Sequence, residues 1–296
     1  MIDVAVIGCG GIGGYLLELL PQVMACIRLD MMPKSWAQRA LDSEGLEIEG
    51  TNPFRSLILV DGDSFSGHNA LRQAGVTGSK LALQMAKIRK KDAFTTWLSE
   101  TKLVGYETYI KPSNINSILR GPDTYVFLCV DNHKTRYEVS RWAEEQDSVR
   151  NIVLINGGNE KVTGNVTVFQ KFGRTYYDPP LYDIYPEIKD GTDRRPDEVA
   201  CGTVSLANDQ TAIINNMIAS IMLNMFRKIV MEDEQGKGLE EKTRFKDKYG
   251  NNLTARKNEV IINLETNTMV SLSHKRIQRE TTDTVENLPE GEIELN

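Results

Sequence analysis

The sequence is poor in cysteine, and its few cysteines are widely separated. Among 296 residues there are four, none of them in a C-x-x-C pair: Cys9, Cys26, Cys129 and Cys201. Paired cysteines are the usual ligands of structural zinc, and closely spaced even sets of cysteines mark small disulfide-stabilised domains. We therefore expect no zinc, no disulfide framework and a reducing, cytoplasmic location.

Long apolar runs and an excess of positive charge are also missing. No uninterrupted apolar run reaches the roughly 18 residues of a membrane span, and no basic segment precedes an apolar run at the amino terminus as in a signal peptide. Lysine and arginine number 35 against 41 aspartates and glutamates, so the formal net charge is −6. This balance argues against a protein that follows nucleic-acid phosphates. We expect neither a membrane nor a nucleic acid as partner.

Short apolar runs alternate with amphipathic segments through the first half of the chain. The runs that predict buried parallel strands lie at residues 2–8, 56–60, 124–130 and 151–157. A helix is expected from Gly11 to Leu20, ending at Pro21, and a second amphipathic helix carries Leu81, Met85 and Ile88 on one face. The alternation predicts an α/β fold with a doubly wound, Rossmann-like, mostly parallel sheet, whose ligand binds at the carboxyl ends of the strands.

The remaining segments have distinct patterns. Residues 165–172 alternate with period two and predict an antiparallel extension of the sheet. The other segments, in chain order, are an insertion at 21–56, a surface crossover loop at 173–200, a long helix at 204–231, a hairpin at 258–273 and a disordered acidic tail at 279–296.

A glycine-rich turn follows the first predicted strand. Gly8, Gly10 and Gly13 match G-x-G-x-x-G, a turn that brings backbone N–H groups and a helix amino terminus against a phosphate. An NAD-dependent dehydrogenase also needs an acidic residue about 20 residues further on. Asp30 follows no strand, and Asp61 lies much further along the chain. The turn alone therefore leaves a dehydrogenase, another phosphate-binding protein and a turn without ligand as alternatives.

The residues beyond the second strand favour a triphosphate. "LVDGDSFSGHNALRQ" and "GSKLA" bring polar and charged side chains close together in the sequence: Asp61, Asp63, Asn69, Arg72, Gln73 and Lys80. Arginine offers a forked donor and lysine a point charge to phosphate oxygens, and a dehydrogenase needs neither here. Asp131 and Asn132 end the next core strand, where a carboxylate could hold Mg²⁺ against phosphates.

In this order the motifs resemble those of the ThiF-like, ubiquitin-activating-enzyme superfamily of adenylyltransferases. The shared pattern is G-x-G-G-x-G, D-x-D with N-x-x-R-Q, G-x-K and C-x-D-N, spanning Gly8 to Asn132. The similarity is greatest to the ThiF family proteins of plasmid PRTRC systems, because "INGGNEKVTGNVTV", "CGTVSLANDQTAIINNMIASIMLNM" and "VIINLETNTM" resemble their second half. The resemblance covers residues 2–272, which we take as one adenylation domain.

The resemblance implies a reaction and a set of site residues. ATP and Mg²⁺ would bind over the glycine turn formed by Gly8, Gly10, Gly11 and Gly13. The C-terminal carboxylate of a small ubiquitin-like (β-grasp) protein or peptide would attack the α-phosphate, giving an acyl-adenylate and pyrophosphate. By similarity Asp61 holds the ribose, with Asp63 and Asn132 beside the nucleotide. Asn69, Arg72 and Lys80 bind the phosphates, and Asp131 binds Mg²⁺. A homodimer is expected.

The sequence departs from the family pattern in three ways. No amino-terminal helix carrying an arginine for the partner's ATP precedes the first strand, and neither paired zinc cysteines nor a separate cysteine-bearing domain is evident. Cys201 precedes the predicted long helix, whose amino terminus would favour its thiolate. It is either a thioester-forming nucleophile or a buried small apolar residue. The functional alternatives are a nucleotide-binding scaffold without turnover and a NAD-dependent oxidoreductase.

Overall fold

The strands of the core form where the sequence has its apolar runs. The computed structural model describes residues 1–31, 52–65, 78–147, 149–190, 193, 198, 212–234, 245–246, 252–253 and 257–274. The strands are β1 (Ile2–Ile7), β2 (Phe54–Val60), β3 (Ser64–Phe65), β4 (Gly78–Ser79), β5 (Lys102–Tyr106), β6 (Asp123–Leu128), β7 (Asn151–Asn159), β8 (Thr163–Phe172), β9 (Thr175–Tyr176), β10 (Phe245–Lys246), β11 (Asn252–Leu253), β12 (Glu259–Asn263) and β13 (Thr268–Leu272).

Helices connect and cover these strands. They are α1 (Gly11–Met31), α2 (Lys80–Ile88), α3 (Asp92–Trp97), α4 (Ile115–Ile118), α5 (His133–Glu145), α6 (Leu181–Ile184), a 3₁₀ helix (Pro186–Asp190) and α7 (Ala212–Glu234).

The central sheet has the order β13-β12-β8-β7-β6-β1-β2-β5, with β9 paired to β8. The strands β7, β6, β1, β2 and β5 are parallel, whereas β8, β12 and β13 extend the sheet as antiparallel neighbours. Ile7 at the end of β1 pairs with Val60 of β2 and Leu128 of β6. The chain therefore winds to both sides of β1, and the predicted fold class, a mostly parallel sheet with an antiparallel extension, is confirmed.

Alternate residues of β1 face two different helical layers. Val4 and Val6 contribute to a core with α1 and α7, while Ala5 and Ile7 contribute to a second core with α4 and α5. Because both faces are covered, the parallel strands are almost entirely apolar, as buried parallel strands are.

Helix α1 does not end where the sequence predicts. Pro21 lies inside it, and the helix continues to Met31, so residues 21–31 are not part of an insertion. Proline breaks helices by removing a backbone donor and crowding the preceding turn. Here the turns that follow Pro21 bury Met24 and Ile27 completely, and that burial holds the helix together across the proline.

By length and composition α1 could cross a membrane, since its most apolar window has a mean hydropathy of 1.3. Within the fold 61% of that window is buried. Packing against the sheet and α7 accounts for its apolar residues.

The segment 173–200, expected as a surface loop, is partly structured. Leu181, Tyr182 and Ile188 are buried as a small cluster, with Tyr137 of α5 packed against it. The apolar residues among its prolines therefore anchor this segment on α5.

The antiparallel hairpin of β12 and β13 turns at residues 264–267, where Asn267 has a positive φ of 53°. Residues 32–51, 204–211 and the tail at 279–296 lie outside the described residues.

Candidate functional site

The glycine turn joins β1 to α1 at the carboxyl edge of the sheet. Gly8 has a φ of 88°, and a Cβ added to it would lie 2.8 Å from the carbonyl oxygen of Cys129. A Cβ on Gly13 would lie 1.9 Å from the carbonyl oxygen of Gly8. Both positions therefore require glycine, and the close approach leaves the first turn of α1 facing the ends of β1 and β6.

Asp61, at the end of β2, holds this turn in place. Its Oδ2 accepts a hydrogen bond from the Cys9 backbone N–H at 2.5 Å, and its Oδ1 accepts one from the Asp63 N–H at 2.7 Å. Burial raises the pKa of the Asp61 carboxyl, while Lys80 and the two N–H donors oppose that rise. A carboxylate has about four acceptor sites, so two remain for a ligand hydroxyl.

Lys80 begins α2 and reaches the same region. It is 8% exposed, and its Nζ lies 3.1 Å from Asp63 Oδ2. Tyr109 donates its hydroxyl to the other oxygen of Asp63, and its ring lies flat against Gly62, where a Cβ would come within 2.8 Å of the ring. Asp63 thus orients a lysine and an aromatic ring toward one space.

That space is a cleft of about 750 Å³ beyond the ends of β1, β2 and β6. It is lined by the glycine turn, Asp61, Lys80, Tyr109 and Asp131. It lies where the chain winds away from β1 in two directions, the usual ligand site of such sheets.

Asp131 and Asn132 have different roles. Asn132 is buried and caps α5, accepting a hydrogen bond from the Thr135 N–H at 2.8 Å, so its amide oxygen serves the helix as well as lining the cleft. Asp131 is exposed, and within the described part of the chain its carboxylate accepts no hydrogen bond and forms no ion pair.

The residues present fit a magnesium ion bound together with phosphates. No group of three or more His, Cys, Asp or Glu side chains suited to a metal occurs in the part of the chain that the structure describes. Magnesium bound with nucleotides takes only one or two carboxylates, because phosphate oxygens and waters complete its shell. A single exposed carboxylate that forms no hydrogen bond and no ion pair within 4.0 Å among the described residues, such as Asp131, meets that requirement.

Three predicted site residues, Asn69, Arg72 and Cys201, lie outside the described residues. Cys9 and Cys129 are buried, as expected of packing residues. Burial raises the pKa of both thiols, to about 12 for Cys129. Neither is suited to act as a nucleophile.

The structure adds residues that the motifs do not indicate. β5 ends at Tyr106, so Tyr109 lies in a loop at the carboxyl edge. Asn159 ends β7 and donates its side-chain amide to the buried Asn215 of α7, whose Nδ2 would lie 3.1 Å from a Cβ on Gly11. The strand ends of a parallel sheet are the signal that could have found Tyr109 and Asn159.

Arg136 of α5 lies between the ends of β6 and β7. Its Nη2 donates to the carbonyl oxygens of Val130 at 2.7 Å and Gly157 at 3.1 Å, and its Nη1 to Asn156 Oδ1 at 3.3 Å. No carboxylate among the described residues lies within 4.0 Å of the guanidinium. Burial lowers the pKa of Arg136, while the more distant carboxylates of Asp131 and Asp193 oppose that fall. An arginine stays charged in proteins, so this side chain is a positive charge whose hydrogen-bond partners are neutral and which interacts over a longer distance with Asp131 and Asp193.

A second cleft of about 1030 Å³ adjoins the first. Asp131 and Asn159 line both clefts, and Arg136, Asn165 and Tyr185 line the second alone. Tyr185 donates to Glu259 and accepts from the Asn165 amide at 2.6 Å, so its ring position is fixed. The two clefts therefore meet beside the glycine turn.

Solved structures of known proteins share the fold of this chain. A comparison with curated protein sequences gave no significant match. In fold, the chain is similar to PaaA, with a TM-score of 0.53, 14% identity and coverage of 92% of this chain and 73% of PaaA. It is also similar to E. coli MccB solved with ATP, with a TM-score of 0.53, 15% identity and coverage of 93% of this chain and 64% of MccB.

E. coli MccB solved with AMPCPP and MccA gives a TM-score of 0.52 at 15% identity, with 93% of this chain and 64% of MccB covered. This chain thus spans less than two thirds of the length of MccB. Residues 35–260 match the model of the ThiF family. That is more than half of the sequence, so the chain belongs to the ThiF family.

Proposed function

We propose that this protein is an ATP-dependent adenylyltransferase that activates the C-terminal carboxylate of a small protein or peptide. The observation that carries the proposal is the first cleft, where a glycine turn at a helix amino terminus faces a lysine and an exposed carboxylate that forms no hydrogen bond or close ion pair among the described residues. Membership of the ThiF family supports it, and so does the likeness to E. coli MccB, solved with ATP and with the peptide MccA.

The residues of the cleft suit a nucleoside triphosphate. The N–H groups at the start of α1 would bind phosphate oxygens, favoured by the helix dipole. Asp61 would accept ribose hydroxyls on its two remaining acceptor sites, and Tyr109 offers a ring face to the base. Lys80 would turn from Asp63 toward the negative charge of the triphosphate. By family resemblance, Asn69 and Arg72 would add further phosphate donors.

The transfer would proceed by displacement at the α-phosphorus. An oxygen of the acceptor carboxylate forms a bond to that phosphorus, the bond to the oxygen bridging the α- and β-phosphates breaks, and pyrophosphate leaves. Lys80 and the glycine turn stabilise charge on the phosphate oxygens, so catalysis consists of positioning and electrostatics. A magnesium ion held by Asp131 would supply further charge neutralisation.

We propose a β-grasp protein or a peptide as acceptor and a homodimer as the assembly. Exposed apolar side chains of the paired helices α1 and α7, namely Leu19, Ile213 and Met217, support a second copy as partner. Light scattering at micromolar concentration tests this, and a monomer mass would contradict it. Cys201 is proposed to attack the acyl-adenylate and take the acyl group as a thioester with release of AMP, which predicts a thiol-cleavable adduct that disappears in Cys201→Ala.

Substitution of Lys80 tests the nucleotide site. We expect Lys80→Met to weaken binding of AMPCPP with Mg²⁺ by about 10- to 100-fold, because a charge-assisted hydrogen bond contributes about 1.5–3 kcal/mol. The matched control is Lys87→Met on the same helix, whose ammonium pairs with Glu18 at 2.7 Å outside the cleft. Calorimetric titration measures both constants, and the control should stay within about twofold of the parent.

Turnover is tested by ATP–pyrophosphate exchange in the presence of a pool of synthetic decapeptides with free carboxyl termini. Exchange that depends on the pool and on Lys80 supports the enzyme. Binding of AMPCPP without exchange would favour a nucleotide-binding scaffold. Binding of NADH with no binding of AMPCPP would reject the proposal in favour of an oxidoreductase.

A further inference from the structure

The second cleft is lined by side chains of both charges. Its inner end, where it meets the nucleotide cleft at Asp131 and Asn159, contains the Arg136 guanidinium. Its outer part contains Glu160 and Glu187, both exposed. His133 also lines this cleft, so these are all of its titratable residues apart from Tyr185.

The inner charge is suited to an anion. The hydrogen-bond acceptors around Arg136 are neutral carbonyl and amide oxygens, and its buried Nε has no hydrogen-bond partner in the part of the chain that the structure describes. The carboxylates of Asp131 and Asp193 act on it from beyond 4.0 Å. A positive charge in such surroundings is weakly screened and attracts a negative group in the adjoining space. The one carboxylate that lines this end, Asp131, is the group assigned above to magnesium.

The outer charges are suited to a cation. Glu160 accepts a hydrogen bond from the Thr163 hydroxyl at 3.2 Å and has no ion pair among the described residues. Glu187, in the 3₁₀ helix, likewise forms no ion pair with any residue that the structure describes. Ile261 of β12, which is 37% exposed, lines the same cleft. The outer part therefore combines negative charge with an apolar surface.

We propose that the second cleft selects an acceptor whose C-terminal segment carries a basic side chain a few residues before its terminal carboxylate. The carboxylate would lie at the inner end near Arg136 and Asn159, next to the α-phosphate, and the basic side chain would lie against Glu160 and Glu187. This inference rests on the proposed function, since it names the chemistry of the acceptor for that reaction.

The expected preference is moderate in size. An exposed ion pair contributes about 0.2–1 kcal/mol, so each glutamate should favour a basic residue by about two- to fivefold. Added salt should reduce the preference, because the Debye length shrinks to about 3 Å at 1 M. Amidation removes the negative charge of a peptide's C-terminus. The protein should then no longer retain the peptide, because the inner end of the cleft has no anion to bind.

Selection from the decapeptide pool tests the proposal. The full-length protein, immobilised and saturated with AMPCPP and Mg²⁺, is exposed to the free-carboxylate pool and to an amidated pool, and retained peptides are sequenced by mass spectrometry. We expect lysine or arginine to be enriched at one of the five positions before the last residue. The double variant Glu160→Lys/Glu187→Lys should enrich aspartate or glutamate there instead.

The control is Glu145→Lys/Glu265→Lys, which changes the net charge equally at exposed sites on α5 and in the hairpin turn, outside the cleft. It should keep the parent preference. Selection of free-carboxylate peptides without a basic preference, or an identical preference in the Glu160/Glu187 variant, would overturn this inference while leaving adenylation intact. Retention of no peptide would also overturn it. Loss of AMPCPP binding in the parent would instead reject the proposed function.

Discussion

The charged side chains of the first cleft depend on one another. Asp61 and Lys80 are each 8% exposed, and Asp63 bridges between Lys80 and Tyr109. Lys80 pairs with Asp63, whose side chain is 34% exposed, so solvent compensates part of the loss when either member is removed, and the cost stays below that of a fully buried pair. The same residues that would bind a nucleotide therefore also hold the glycine turn and α2 in position.

The cysteines give a prediction about reactivity. Burial raises the pKa of Cys129 to about 12, so only about one thiol in 10⁴ is ionised at pH 8. Cys26 is exposed on α1. We expect iodoacetamide at pH 8 to modify Cys26 in the folded protein and to spare Cys9 and Cys129 until urea is added. Peptide mass spectrometry measures this, and modification of Cys129 as fast as Cys26 would contradict the buried site.

Among individual site residues, the sequence predicts those that belong to short, continuous motifs. The positions of Gly8, Gly13, Asp61 and Lys80 at the carboxyl edge of the sheet were predictable, because a glycine-rich turn and the residues after a strand form motifs within short stretches of chain. Arg136 was not, because its partners belong to a loop after β6 and to β7, and only their pairing brings those carbonyl groups to one guanidinium. Asn69, Arg72 and Cys201 remain predictions.

The elements show where packing overrides local preference. Proline inside a helix costs about 3 kcal/mol, and on that ground the sequence predicts an end at Pro21. Met24 and Ile27 lie beyond it with no exposed surface, and burying each contributes about 1.5–3 kcal/mol. The two burials together exceed the cost of the proline, so α1 continues to Met31. The sequence alone does not reveal that a second helix, α7, packs along this part of α1.

The packing of helix α7 against the sheet predicts the effect of a substitution on stability. Phe226 is fully buried and lies edge-on to Tyr125 and Phe127 of β6, with ring centroids 5.6 Å and 5.3 Å away. We expect Phe226→Ala to lower the free energy of unfolding by about 3–5 kcal/mol, because the substitution leaves a cavity and removes the ring contacts.

The control lies on the same helix. Lys228 is exposed, so Lys228→Ala should change the free energy of unfolding by less than about 0.5 kcal/mol. Urea unfolding followed by circular dichroism measures both variants. Equal effects would mean that α7 does not pack against the sheet as described.

Over the whole molecule, both clefts lie at the carboxyl edge of one sheet. The first cleft lies at the end of β1, from which the chain continues to β2 on one side and to β6 on the other. The second cleft lies beside β7 and β8, where the parallel part of the sheet meets its antiparallel part. The fold class was predictable because alternating strands and helices leave few possible topologies. The second cleft was not, because it is formed by segments distant in sequence, among them Arg136, Tyr185 and Ile261.

Ligand binding should stabilise the molecule as a unit. A ligand that binds only the folded state adds about 2.7 kcal/mol at a concentration of 100 Kd. For a chain of this size each kcal/mol raises Tm by roughly 2–4 °C. We therefore expect AMPCPP with Mg²⁺ at 100 Kd to raise Tm by about 5–10 °C, measured by scanning calorimetry.

In Gly13→Ala the new methyl group overlaps the Gly8 carbonyl, so the phosphate turn cannot close. The rise in Tm on adding AMPCPP should therefore vanish, whatever the Tm of the variant without ligand. Glu265→Lys, in the distant hairpin turn, should keep the full shift, and an equal rise in Gly13→Ala would place the nucleotide elsewhere.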